Sequence, residues 1–529
     1  MRAATSLNIR CTTGEHMRVP LLISMLWLSC AAIAAPSEIR IALNSDIKTT
    51  EPGGQARDVN TDSVLSHVAE SLVAYRGDFT VAPMLAESYD VSKDGRTYTF
   101  KLRKGLRFHN GAPVTAADVK WSWERLLKPE TRWSCRNLFT GVAVAGVDVL
   151  SVEARDPQTV VFNLDRASPL FLEGMASPQC LPAVLHRDSV AADGSWKTPI
   201  GTGPFQLTEW KKGQWIVLSR FADYAPATQP ASGMAGRKAA LVDQLRWLVI
   251  PEHAAQKAAM LAGQIDVMID VDSTDLPFPA GRFNTQVKPG LDWDAMLLQT
   301  EDPLLRDVRI RKAIAAAIDA PALAMAVSDG KSAANPSPIS VASRWHSTVL
   351  NQRIPYDLKT AKRLLAEAGY RGQRLKLQTN KRYRTMHDNA VIIQAMLAKA
   401  GMNVELEVID WAAQLANYRE GRFQMMSFGY SGKIDPSLDL APLIGRKAKS
   451  AFYQWDDRQV DDLVLRISLE TERPARQALL EDLHRRMIEQ VPILPLFNPD
   501  AIEVTGRGVS GYETWPVKMP RLWNVKIAR

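Results

Sequence analysis

Polar and apolar positions along the chain alternate in blocks that predict its elements. Tyr98, Phe100 and Leu102 alternate with Thr97, Thr99 and Lys101, a period of two that predicts a half-buried strand over 97–102. The preceding Asp94-Gly95 is a hairpin turn pair. Val64, Leu65, Val68 and Leu72 share one face of a helix predicted over 63–74. Thr115 is placed to cap a helix that begins near Ala116 and carries Val119, Trp121 and Trp123. Further strands are predicted over 39–43, 159–164, 244–251, 293–300, 375–378 and 404–409. Helices are predicted from 253 to Gly263, over 307–319, from the cap Asp357 to Gly369, from 387 to Gly401 and over 475–489. The strand-helix-strand order over 375–409 predicts an α/β fold with a partly parallel sheet.

Pro199-Ile200-Gly201-Thr202-Gly203-Pro204-Phe205 predicts a tight, fixed turn. As a phosphate cradle it is weak, because Pro204 and a strand-like run follow the second glycine where a helix is needed. H-E-x-x-H, G-x-S-x-G and Walker A patterns are all missing from the sequence. The eight histidines stand apart, and His109 in F-H-N-G reads as a structural hydrogen-bonding residue. On these residues an enzyme is not expected, and no catalytic residue, cofactor or metal site is nominated.

The length of 529 residues exceeds one ordinary core and predicts two or three domains. Arg18 precedes an apolar run over 19–35 that ends in the small-x-small sequence Ala32-Ile33-Ala34. This predicts a signal peptide over 1–34, with a retained anchor or lipid attachment at Cys30 as alternatives. Without it the net charge falls from +8 to +6. With no Lys/Arg cluster interleaved with aromatics, nucleic acid is not an expected partner. Cys135 and Cys180 remain, and in an exported chain they predict one disulfide worth roughly 3–4 kcal/mol, or else two buried thiols.

Taken whole, residues 83–125 closely resemble the signature of the dipeptide/oligopeptide/nickel-type solute-binding proteins, the extracytoplasmic receptors of ABC importers (bacterial solute-binding protein family 5). Later matches follow in chain order: the 199–205 turn, the 253–269 stretch, Asp307-x-Arg309-x-Arg311-x-Ala313 with Ala317-Ile318-Asp319, and the run over 361–370. The resemblance implies a two-lobed periplasmic-binding-protein fold (class II, large peptide-binding type) with an extra subdomain in the first lobe. Lobe I is expected to span 35–297 and 502–529, and lobe II 298–501. Crossings near 296–300 and 498–503 would form a hinge. The implied function is capture of a peptide or peptide-like small solute in the cleft and delivery to an inner-membrane ABC permease. The protein is expected to be periplasmic and monomeric. Alternatives are a sensory partner of a chemoreceptor or sensor kinase, or a binder of an opine-like conjugate, glycoside, haem or metal chelate.

The resemblance also nominates ligand-binding residues. Trp411 follows Ile409-Asp410 in an acidic-Trp pair where an indole can stack on ligand. Tyr430, Ser431, Gly432, Lys433 and Asp435 stand in a loop that reads Gly-Trp-Thr-Gly-Asp in peptide binders, whose aspartate pairs with the ligand amine. Lys433 departs from that pattern and would repel an ammonium. Arg382 and Arg384 fall where dipeptide binders grip a carboxylate. Together the three cations favour an anionic or amine-blocked ligand. Trp133 and Trp345 are expected near the cleft.

Overall fold

Two mixed sheets organise the chain, and the order of their strands fixes where it passes from one lobe to the other. The computed structural model describes residues 36–528 apart from 143–145 and 441–442. The expected leader over 1–34 lies outside the described residues. The first sheet has seven strands in the order Phe283–Pro289, Asp500–Gly506, Val267–Met268, Glu38–Leu43, Gln244–Val249, Trp215–Arg220 and Phe205–Lys211. Glu38–Leu43 runs parallel to Gln244–Val249, so strands about 200 residues apart share the centre of this core. The second has five: Asn403–Val408, Arg374–Thr379, Met425–Tyr430, Trp293–Leu298 and Ile493–Phe497. Its first three strands are parallel and the last two join antiparallel.

A separate four-stranded antiparallel sheet is the extra subdomain of the first lobe. Its order is Ala86–Val91, Thr97–Leu102, Thr159–Leu164 and Val149–Asp156. Helix Ala116–Leu127 packs on it, started by a reciprocal capping box between Thr115 and Asp118. Trp123 from this helix is fully buried, edge-on to Phe139 at 5.1 Å and Phe162 at 5.0 Å. Cys135 and Cys180 are joined as a disulfide beside this cluster.

Two elements differ from the sequence expectation. The helix expected over 63–74 is Val59–Leu65, capped by Asp58, and Val73–Tyr75 is a strand. It stops because the His67 and Val68 carbonyls accept from the N–H groups of Phe205 and Gly203 (3.2 and 3.0 Å), leaving them unavailable to a further helical turn. The helix expected over 307–319 is Val308–Ala317, and Asp319 caps a second helix, Ala320–Val327, by accepting from the Ala322 N–H.

The chain passes between the sheets at 290–292 and 498–499. Trp293–Leu298, expected in lobe I, is a central strand of the second sheet and is buried throughout. An apolar run of this kind carries no mark of which core it fills. The two crossings lie side by side: Asn498 Nδ2 donates to the Asp292 carbonyl (2.9 Å), and a Cβ on Gly290 would meet the Pro499 carbonyl oxygen at 2.3 Å. Paired crossings of this kind permit hinge rotation while holding the lobes in register.

Candidate functional site

The three parallel strands of the second sheet end on the same side, facing the first lobe. Open α/β sheets bind ligands at the carboxyl ends of their strands. Here those ends lead into residues 380–384, 409–411 and 431–433. They bring Arg382, Arg384, Trp411, Tyr430, Ser431, Gly432 and Lys433 to one edge. Tyr430 stacks on Trp293 with ring centres 4.3 Å apart. Trp411 lies 5.7 Å from Phe428 and is met edge-on by Tyr383 at 4.9 Å. Trp411 and Tyr430 are both half-buried, so each keeps surface for stacking.

Gly432 sits where the loop presses against the first crossing. Its N–H donates to Asp292 Oδ1 (3.0 Å), and a Cβ there would meet the Leu291 carbonyl oxygen at 2.0 Å. Lys433 follows, its N–H donating to Asp439 Oδ1 (2.9 Å). Burial pulls the Lys433 ammonium below its ordinary pKa, against the raising influence of Asp439, Asp292 and Asp62. Across the cleft, Asp62 is hydrogen-bonded by Arg57, yet burial still raises it to about 6.

Among the described residues, two ion pairs span the lobes. Arg384 donates Nε and Nη2 to Asp272 (2.9 and 2.6 Å) and Nη1 to Asp388 (2.7 Å). Arg344 Nη2 donates to Glu173 Oε1 (3.0 Å). Burial, then the nearby Asp435, raises Glu173 to about 7 despite Tyr75, Arg344 and Arg476. At the hinge, Lys518 Nζ lies 3.2 Å from Asp292 and 3.5 Å from Asp270. Burial opposes its charge, but these carboxylates outweigh it and the ammonium is held above its usual range. Asp294, on the neighbouring strand, accepts from Asn389 Nδ2 (2.9 Å) and is pushed by burial up to about 7.

Three nominated residues are buried and already engaged within the protein. Asp435 is enclosed in lobe II, gripped by Arg476 through Nη1 and Nη2 at 2.8 and 2.7 Å, which leaves no free face for a ligand. Trp133 is 4% exposed, stacks on Phe139 at 5.0 Å and donates its N–H to the Cys180 carbonyl; its place is the subdomain core. Trp345 is buried to the same extent beneath the Arg476 guanidinium, 4.7 Å from its ring centre. Sequence reasoning missed the acids that face these cations: Asp62, Glu173, Asp272, Asp292 and Asp294. They neutralise most of the positive charge expected of the cleft. Of its cations, Arg382 is exposed and has no carboxylate within salt-bridge distance among the described residues, touching only the Tyr383 ring at 5.8 Å.

These buried groups set an unusual pH response. Burial lowers His67 to about 3 and His109 to about 4. The unfolded chain therefore takes up protons below pH 6.5 that the folded chain refuses, and stability is lost as pH falls. Asp294, Glu173 and Glu503, each raised to about 7, act oppositely. Their folded forms bind protons first, so they add stability as pH falls from 7 until the unfolded carboxyls titrate near 4. The two trends offset, and thermal unfolding is expected to shift little between pH 7 and 5. It should fall steeply below about pH 4.5, where the histidine penalty still grows and carboxylates held below their usual range, such as Asp272 and Asp307, must also be protonated. A steady decline from pH 7 downward in a scanning-calorimetry series would contradict this balance.

The sequence model of the bacterial extracellular solute-binding proteins, family 5 (middle region), matches residues 80–451. Over 481 residues the chain is 27% identical to heme-binding protein A of Haemophilus influenzae, covering 85% of each chain. It is 26% identical over 510 residues to di/tripeptide-binding protein 1 of Pseudomonas aeruginosa, covering 90% of this chain and 92% of that one. The fold matches the periplasmic binding protein DppA of Helicobacter pylori, solved with the peptide STSA, at a TM-score of 0.78 and 24% identity. That match covers 93% of this chain and 99% of the other.

Proposed function

The chain belongs to the family 5 bacterial extracellular solute-binding proteins, the receptors of ABC importers, and from that premise we propose that it is a periplasmic, monomeric receptor for a peptide-like solute without a free α-amine. One observation carries the ligand class. The carboxylates Asp292 and Asp439 accept from the backbone N–H groups of Gly432 and Lys433 and, with Asp62, act on the Lys433 ammonium, while Arg382 has no acidic partner among the described residues. A solute carboxylate at Arg382 gains charge-assisted, bidentate hydrogen bonds. A solute ammonium near Lys433 meets like charge. Trp411 and Tyr430 offer ring surface between these ends.

We assign lobe I to 36–290 and 500–528 and lobe II to 293–498, following sheet membership. Closure of the two over the solute is the signal that the permease reads, because a ligand shifts a conformational equilibrium only by binding one state better.

Native mass spectrometry of the mature chain from a bacterial periplasm tests the reading. A discrete adduct lost on denaturation identifies the solute class. Titration with N-acetylated and free dipeptides tests its polarity: the acetylated series should bind more tightly. Arg382→Ala should weaken that binding about 10- to 100-fold, the equivalent of one charge-assisted hydrogen-bond pair. Tighter binding of free dipeptides would overturn the assignment at Lys433.

A further inference from the structure

The two interlobe ion pairs found among the described residues are made to different degrees. Arg384 meets Asp272 as a complete fork: Nε donates to Oδ2 (2.9 Å) and Nη2 to Oδ1 (2.6 Å). Two parallel bonds of this kind are what a planar guanidinium and a carboxylate form at full contact. Arg344 meets Glu173 through one bond, Nη2 to Oε1 (3.0 Å). Arg344 Nε and Glu173 Oε2 are both buried, and neither has a hydrogen-bond partner among the described residues. They are the two atoms that the second bond of the same fork would join.

The groups around this pair are already committed. The Tyr75 hydroxyl donates to the Glu173 backbone carbonyl (3.0 Å). Asp435 is held by Arg476, and Arg473 Nη2 donates to the Arg344 backbone carbonyl (3.0 Å). A charged donor and a charged acceptor left buried and unpaired are costly, and here each supplies what the other lacks. Glu173 stands on the lobe I helix Leu170–Ala176 and Arg344 belongs to lobe II, so the second bond draws the lobes together. We propose that Arg344 and Glu173 are the closure latch of the cleft, half made in this structure and completed on solute capture, when Arg344 Nε donates to Glu173 Oε2. Both are positioning residues, acting on the solute through the opposite lobe. A contact complete only in the closed state slows release. It leaves capture, which begins with the lobes apart, unchanged.

Two measurements on the mature protein test the latch: small-angle X-ray scattering without solute, and stopped-flow capture and release of N-acetylated dipeptides. Free Glu173→Gln should have a larger radius of gyration than the free wild type, because the charge that holds the lobes is gone. Release should quicken about tenfold in Glu173→Gln and in Arg344→Lys, as for one charge-assisted hydrogen bond, with capture rates unchanged. The double variant should release no faster than Glu173→Gln, since one contact is lost in each. Lysine keeps the charge but cannot make the fork. Wild-type release in Arg344→Lys would therefore show that the second bond does not form, and would overturn the proposal. Equal radii of gyration for free wild type and free Glu173→Gln would also overturn it. Only the release measurement rests on the ligand class proposed above. Failure of the acetylated peptides to bind would sink that class, and the scattering comparison would still decide the latch.

Discussion

Replacing Arg476 with methionine is expected to lower folding stability by about 3–5 kcal/mol. The Arg476 guanidinium is buried and fully engaged. It donates to both oxygens of Asp435 (2.8 and 2.7 Å), to Ser437 Oγ (2.8 Å) and to the Ile467 carbonyl (2.9 Å). Methionine removes the cation and leaves the Asp435 carboxylate enclosed without a counter-charge. That stranded charge, more than the lost attraction, sets the magnitude. The exposed pair Arg363–Glu367 should by contrast contribute under about 1 kcal/mol. The double variant Asp435→Asn with Arg476→Met should recover much of the loss, because neither charge is then stranded. Urea unfolding of Arg476→Met, Asp435→Asn and the double variant measures this. A loss below about 1 kcal/mol for Arg476→Met would mean that the pair is solvated in practice. Asp435 would then return as a candidate for ligand contact. If the loss is as expected, Asp435→Asn changes stability and leaves solute affinity to Arg382 and the aromatic pair.

Local signals in the sequence are legible where a short stretch carries its own physical reason. Thr115 caps its helix because Asp118 stands three residues on, and Gly369 ends another with a φ of +74°. The partly parallel character of the lobe II sheet is legible in the strand-helix-strand order over 375–409. The cleft is half legible. Loops at the ends of the parallel strands can be nominated, since the motif Gly429 to Lys433 and the arginines 382 and 384 are contiguous in sequence. Their opposing acids cannot. Asp272 meets Arg384 from 112 residues away, and in sequence it reads only as a turn residue, a role it also fills by accepting from the Thr274 N–H. Glu173 sits inside the apolar run Leu170–Ala176 and meets Arg344 across 171 residues. No periodicity spans such distances. Lys518 lies in the C-terminal tail, and only the tertiary fold brings it to Asp292. The lobe boundary is hidden for a related reason: an all-apolar strand such as Trp293–Leu298 fits either core.

Gly203→Ala is expected to cost about 4 kcal/mol, an overpacking penalty enlarged by lost hydrogen bonds. The reason is space and not backbone conformation, because neither Gly201 nor Gly203 has a positive φ. A Cβ on Gly203 would lie 2.3 Å from the His67 carbonyl oxygen and 2.7 Å from the Val68 carbonyl carbon; on Gly201 it would lie 2.2 Å from the Val68 oxygen. These neighbours are backbone, so no side chain can swing aside. Relieving the overlap separates the turn from the helix end and breaks the bonds from Gly203 and Phe205 to Val68 and His67. The disturbance continues inward. His109 bridges the turn, accepting from the Gly201 N–H and lying 3.1 Å from the Gly203 carbonyl. His67 packs against Phe205, Trp247 and Trp523 and accepts from the Leu522 N–H. Gly111 is the control. Its φ is +82°, and no neighbouring atom lies within 4 Å of where an alanine methyl would stand. Gly111→Ala should therefore lose only about 1 kcal/mol for the left-handed backbone. If equilibrium unfolding found the two alanine variants equally stable, close approach of the turn would not be what requires glycine at 203. The tight turn read from Pro199 to Phe205 would then owe its form to the flanking prolines alone.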